Sequence, residues 1–291
     1  MSVVLQATDQ MAVLTAGETP DLSAGRDARG PARGTAVDIS GLSLVAGTDD
    51  GAVAALAAID LRVDRGDFVS LIGPSGCGTA TLLRVIADLE QPTGGYIAVT
   101  GVTPAEARRA RAYGYVFPAP VLHPWRTIAA NVALPLEIMG LPKAERDRRV
   151  ARNLALVDLA GCARKFPWQL PGGMQQCAAI ARALSVEPDL LLMEEPFNAL
   201  DEIVRDHLNE QLLRLWDRTG KTVIFATRSI AEAVFLATRI VVMSPRPGRV
   251  TDVIDSDLPR DRTLDIRETP AFLRIARRVR AGLRAGHGYD D

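Results

Sequence analysis

A chain of 291 residues, 47% hydrophobic and 24% charged, has ample material for a buried core without disulfide staples. Its 34 basic and 35 acidic residues nearly cancel, which excludes a global field aimed at nucleic acid or at an anionic membrane surface. No segment approaches the roughly 20 apolar residues of a membrane span, the N-terminus lacks the pattern of a secretion signal, and Cys77, Cys162 and Cys177 have no zinc spacing, so the reading is a cytoplasmic protein whose thiols serve as small core residues.

Residues 1–36 are rich in Ala, Gly, Thr, Asp and Arg without sustained periodicity and read as a flexible leader with no assigned chemistry. From Val37 to about Ser244, short β-rich apolar runs alternate with longer helical patterns. Asp67–Gly73, Asp189–Met193 and Lys221–Thr227 are the clearest buried strands, because continuous aliphatic runs of that length suit a sheet covered on both faces. This alternation predicts an α/β domain with a largely parallel central sheet. Between about 120 and 187 the strand signals give way to helical ones, at Arg146–Leu159 and Met174–Leu184, which predicts a helical insertion in a domain spanning 37–258. Residues 259–291 read as a helical tail: Pro270 suits a first turn, Phe272, Ile275 and Val279 share a face, and the arginines read as solvated surface rather than as a nucleic-acid arm.

The Phe68–Ile72 strand is followed by Gly73, Pro74, Ser75, Gly76, Cys77 and Gly78, then by Thr79, Ala80 and Thr81 opening a helix. Glycines at this spacing on a strand-to-helix turn make a phosphate-cradling loop, since closely spaced backbone NH groups and a helix N-terminus attract an anion. A nucleotide-binding loop adds, directly after its last glycine, a lysine for the β- and γ-phosphates and a hydroxyl for magnesium. Thr79 and Ala80 provide neither, so the turn by itself reads as structural before it reads as nucleotide-binding. His123, His207 and His287 are scattered without metal-ligand spacing, and no metal site is assigned.

Further along, Leu170–Leu184 contains Pro171, Gly172, Gly173 and Gln176, and Leu190–Asp201 contains Glu194, Glu195 and Asp201. These segments stand in the order and spacing of the signature loop, Walker B strand and D-loop of ABC-transporter ATPases, and the span Ile39–Ser244 resembles that family. Tyr115–Phe117, Val121–Thr127, Asn131–Glu137 and Ala231–Ala237 resemble its branch for nitrate, sulfonate, taurine and pyrimidine-precursor import. The resemblance implies an α/β P-loop NTPase cassette: a RecA-like lobe with a parallel sheet and an antiparallel β portion, plus a helical subdomain carrying the signature loop. It implies ATP and Mg2+ as cofactors, a second ABC subunit closing head to tail on two nucleotides, permease subunits in the membrane, and a solute-binding protein acting indirectly. The cassette would then lie on the inner face of the plasma membrane, with Pro118–Met139 facing the permease and Trp125 exposed beside Leu122 and Pro124. The implied catalytic base is Glu195; the implied nucleotide contacts are Gly73 to Gly78, Thr81, Gly172, Gly173, Gln176 and Asp201.

The departures from the family pattern fall on the contact positions. Thr79 stands for the lysine, Ala80 for the magnesium-ligating hydroxyl, Pro118 for the Q-loop glutamine, Pro171 for the signature serine, Glu194 for the Walker B aspartate and Arg228 for the histidine after Phe225–Thr227; Ala46 aligns with the adenine-stacking aromatic. A hydrogen bond to a charged group contributes roughly 1.5–3 kcal/mol. Losing three without replacement moves a micromolar affinity past millimolar, since about 1.4 kcal/mol is tenfold. The sequence thus predicts a degenerate pseudo-ATPase with weak or absent ATP binding, an idle Glu195 and a solvated Glu194–Glu195 pair. The alternative is an active ATPase that retains enough binding at cellular ATP. The chemistry is the same whether the substitutions are inherited or introduced, and the transported solute is set by other subunits.

Overall fold

The computed structural model describes residues 34–48 and 51–285. The chain enters on β1 (Thr35–Thr48) and β2 (Gly51–Asp64), a long antiparallel hairpin. Val37 and Ile39 on β1, and Ile59, Leu61 and Val63 on β2, point inward while Asp38, Ser40, Asp60 and Arg62 are exposed, the period-two pattern of a sheet with one wet face. Strand β3 (Phe68–Ile72), buried throughout, leads through the glycine loop into α1 (Thr79–Ile86). Next, β4 (Gly94–Val99) pairs antiparallel with β1. Helix α2 (Pro104–Arg109) starts from a capping box between Thr103 and Glu106 and precedes β5 (Tyr113–Val116).

Three helices follow without an intervening strand: α3 (Ile128–Ile138), α4 (Lys143–Leu156) and α5 (Gly172–Ser185). Both helices expected here start earlier than read. Pro142 and Pro171 occupy the N-cap positions, so the helices begin at Lys143 and Gly172 rather than at Arg146 and Met174. α4 also ends at Leu156 instead of Leu159, and Asp158, at φ 57°, turns the chain into a short 3-10 segment at Ala160–Cys162.

The chain then returns to the sheet with β6 (Leu190–Glu194), α6 (Glu202–Thr219), β7 (Thr222–Thr227), α7 (Ile230–Leu236), β8 (Arg239–Met243) and β9 (Val250–Asp255), and ends in α8 (Pro270–Ala285). The main sheet has the order β5-β6-β7-β3-β8-β9, with only the β8–β9 pair antiparallel. Alternate residues of β3 feed different cores: Phe68 and Ile72 join the helical side, where Phe68 meets Trp216 edge-on at 5.8 Å, while Val69 and Leu71 join the side closed by α1 and the hairpin. Phe272, Ile275 and Val279 of α8 are buried in the first of these cores, so the tail helix is solvated on one face only. Cys77 and Cys177 are buried and Cys162 half-buried, all as free thiols. No helix among the described residues is long and apolar enough to cross a membrane.

Candidate functional site

Parallel pairing places Ile72 at the end of β3 opposite Thr227 of β7, and Glu194 of β6 opposite Ala226 of β7. The C-terminal ends of β3, β6 and β7 thus open on one crevice, where ligands of open α/β sheets bind. The loop from Gly73 to Gly78 sits there. Gly76 and Gly78 have φ of 79° and 89°, a region side chains disfavour. A Cβ on Gly73 would lie 2.5 Å from Cys77 Sγ, and one on Gly78 would lie 2.6 Å from Leu56 Cδ2. The glycines therefore let the loop fold on itself and on β2, and Leu82 N–H donates to Gly78 O at 2.8 Å to start α1. The loop, Thr79 to Thr81, Glu195, Arg228 and Arg246 enclose a cavity of about 120 Å³.

The two acidic residues after Met193 separate. Glu194 is 7% exposed and does not line this cavity, accepting instead from the Tyr115 hydroxyl at 2.7 Å and from Arg84 at 3.4 Å. Burial, then the adjacent carboxylate, push the Tyr115 phenol well above its ordinary pKa. Glu195 faces the cavity from the left-handed region at φ 40°, with its N–H donating to Ala226 O at 2.9 Å. Its carboxylate accepts from Arg228 Nε at 2.8 Å and from Asn198 Nδ2 at 2.9 Å. The expectation that both carboxylates are solvated is therefore overturned for Glu194, while Glu195 is half-buried at the wall of the cavity. β6 is buried along its whole length, so a carboxylate at its end needs partners or costs several kcal/mol.

The signature-like segment lies elsewhere within the chain. Pro171 caps α5, and Gly173 packs on α6 so closely that a Cβ would lie 2.7 Å from Val204 Cγ1. Asp201 caps α6 by accepting from Val204 N–H at 3.0 Å. Pro171, Gly172, Gly173 and Asp201 border a separate, largely apolar hollow of about 610 Å³. Gln176 lines neither space; it is buried, and its Nε2 donates to Phe117 O at 3.0 Å, while Arg182 donates to Pro120 O and Val121 O. These bonds fasten the segment around Pro118 to α5.

So the loop residues, Thr81 and Glu195 come together, Gly172, Gly173 and Asp201 form a second group, and Gln176 stands apart. Trp125 is 73% exposed, with Pro124 exposed and Leu122 half-buried. The backbone of Ala46 pairs with Val53 on β2, and its side chain lies outside the described residues, as do His287 and residues 1–33 of the leader. No cluster of His, Cys, Asp and Glu among the described residues could hold a metal. Sequence reasoning missed Arg246 and Gly248. A Cβ on Gly248 would lie 2.0 Å from Cys77 O; the only local signal was a Pro-Arg-Pro-Gly turn after an apolar strand.

Comparison with known proteins gives the same architecture. The family described as ABC transporter matches residues 56–198. An uncharacterized ABC transporter ATP-binding protein of Methanocaldococcus jannaschii is 45% identical over 72% of this chain and 79% of its own length. The taurine import ATP-binding protein TauB of Pseudomonas entomophila is 45% identical over 69% of this chain and 77% of its own. Among solved structures, a dimeric ATP-binding cassette bound to ADP and Pi in a post-hydrolysis state has a TM-score of 0.66 at 31% identity, covering 75% of this chain and 98% of that one.

Proposed function

The chain belongs to the ABC transporter family, and from that premise we propose that it is the cassette subunit of an importer whose own nucleotide site is degenerate. The observation that carries this reading is the state of the two carboxylates: Glu195 is held by Arg228 and Asn198, and Glu194 by Tyr115 and Arg84. A base engaged by a permanent guanidinium donor is poorly placed to accept a proton from water. The residues present fit a phosphate chain, because the glycine loop keeps the close backbone turn that such a chain requires. They do not fit its magnesium, since Ala80 has no hydroxyl and the Glu194 carboxylate, engaged by Tyr115 and Arg84, is not part of the cavity lining.

In this reading the described residues from 37 to 258 are the cassette, about 120 to 187 its helical subdomain, and the protein works at the inner face of the membrane. It docks on permease subunits through the surface around Trp125, and a second cassette, its copy or an active partner, closes on the glycine loop. The likeness to taurine importers points to small anionic, sulfonate-like solutes as the cargo of the whole assembly. A second reading, an active transport ATPase, draws on the intact loop conformation and on Glu195 lining the same cavity. Steady-state phosphate release and thermal unfolding with millimolar Mg-ATP separate the two. The degenerate site gives no turnover above background and a melting temperature in ATP that adding magnesium leaves nearly unchanged, since stabilisation scales as RT ln(1 + [L]/Kd) and this Kd does not fall with the metal. Turnover with a shift of many degrees would establish the active reading instead.

A further inference from the structure

The cavity at the glycine loop contains a cation from outside the loop. Arg246 lies in the turn between β8 and β9, and that turn is fastened on several sides. Ser244 Oγ accepts from Arg249 N–H at 3.0 Å and donates to Pro247 O at 3.1 Å. Gly248 N–H donates to Ala55 O at 2.9 Å, and Ala57 N–H donates to Gly248 O at 3.0 Å, which ties the turn to β2. Gly248 also lies against Cys77 in the loop itself, where there is no room for a Cβ. The turn is therefore fixed to the same loop whose missing cation is at issue, and Arg246 is carried onto the cavity as a consequence.

The charges around the cavity do not cancel. Arg228 and Glu195 pair with one another, and Arg84 is engaged by Glu90 and Glu194 away from the cavity. Among the described residues Arg246 has neither an ion pair nor a hydrogen bond. It is exposed. A guanidinium matches two phosphate oxygens with parallel N–H donors, where an ammonium acts as a point charge.

We propose that Arg246 is the phosphate-binding cation of this cavity, taking from the β8–β9 turn the place of the lysine absent after Gly78, and that the ligand is a phosphate chain bound without magnesium. The proposal rests on the reading that the magnesium-dependent site is degenerate. The phosphate chain is that of a nucleoside diphosphate or of pyrophosphate itself; both present the non-bridging oxygens of two linked phosphates to the loop and to Arg246.

Calorimetric titration of the full chain in EDTA tests this, with pyrophosphate and with ADP as probes, on the unmodified protein, Arg246→Gln and Arg246→Lys. Thermal unfolding checks that each variant is folded. The unmodified protein binds both probes without metal, and added magnesium does not tighten either. Arg246→Gln weakens both roughly tenfold to hundredfold, as expected for loss of a charge-assisted hydrogen bond; Arg246→Lys retains part of the affinity. The proposal is overturned by no binding in EDTA, by equal affinity in the unmodified protein and folded Arg246→Gln, or by binding of ADP with none of pyrophosphate. Phosphate release from Mg-ATP, measured on the same samples, keeps the two readings apart. Turnover sinks the degenerate-site reading, whereas absence of both turnover and metal-free binding sinks the Arg246 proposal alone.

Discussion

Arg228 Nε donates to Glu195 Oε1 across 2.8 Å, joining the residue after β7 to the residue after β6. The geometry follows from adjacent parallel strands ending at nearly the same level: Ala226 pairs with Glu194, so Glu195, one residue on, and Arg228, two residues past Ala226, leave the sheet side by side. Ser229 then caps α7 by accepting from Glu232 N–H, which fixes the chain direction directly after Arg228.

Repair of the site is expected to be possible by side chains alone. Thr79→Lys with Ala80→Ser restores an ammonium and a hydroxyl to a loop already in the cradle conformation, so Mg-ATP binding rises by at least tenfold in calorimetry. Hydrolysis stays low until Pro118→Gln, Pro171→Ser, Glu194→Asp and Arg228→His are added, because groups acting as one unit are strongly non-additive. An unmodified chain that already matches the sixfold variant in phosphate release would show the substitutions to be harmless.

Trp125→Ala is expected to leave the isolated protein folded. At 73% exposure the indole contributes little burial, so the melting temperature changes by less than about 2 °C. Association with permease subunits in a co-purification assay falls, since exposed aromatics carry interface energy. A loss of folding in Trp125→Ala would assign the side chain to the core instead.

Glu232 gives a pH dependence with a definite sign. It is buried at the start of α7, and burial raises its pKa above 4.5, with Thr227, Arg205, Asn209 and Arg267 opposing that rise. The folded state then holds the proton more tightly than the unfolded state. The stability contributed by this proton is complete below pH about 4.5 and is lost as pH rises through the raised value. Glu232→Gln, uncharged throughout, is accordingly more stable than the unmodified protein at pH 8, by up to a few degrees in melting temperature, and loses that advantage toward pH 4.5. A difference that does not vary with pH would mean that Glu232 ionises without penalty.

Gly248→Ala places a methyl group where Cys77 O stands at 2.0 Å, and a backbone carbonyl cannot rotate away as a flexible side chain could. The expected cost is about 1–3 kcal/mol, read as a fall of several degrees in thermal unfolding. Gly161→Ala is the control: nothing lies within 4 Å of its Cβ position, and its melting temperature stays within about a degree of the unmodified protein. Equal behaviour of the two variants would mean that the β8–β9 turn is not held against the glycine loop.

Much of the molecule is legible in local pattern. Continuous apolar runs mark β3, β6 and β7, and the glycine spacing of 73–78 marks the loop, because burial on both faces and positive φ are demands on neighbouring residues. Helix starts were less visible: Pro142 and Pro171 set them from outside the apolar periodicity. The sequence also identified the family through the order of Gly73–Gly78, Gly172–Gly173, Glu195 and Asp201.

What each side chain at the site touches was decided by tertiary structure. Neighbouring Glu194 and Glu195 read alike in sequence, yet one is buried against Tyr115 and Arg84 and the other faces the loop beside Arg228. Arg246, far along the chain from Gly78, reaches the same cavity through the β3–β8 pairing and the contact of Gly248 with Cys77. Periodicity reports which face of an element is apolar; a charged side chain's partner depends on strand order and on where turns are pinned, and those are long-range packing properties that local pattern does not encode.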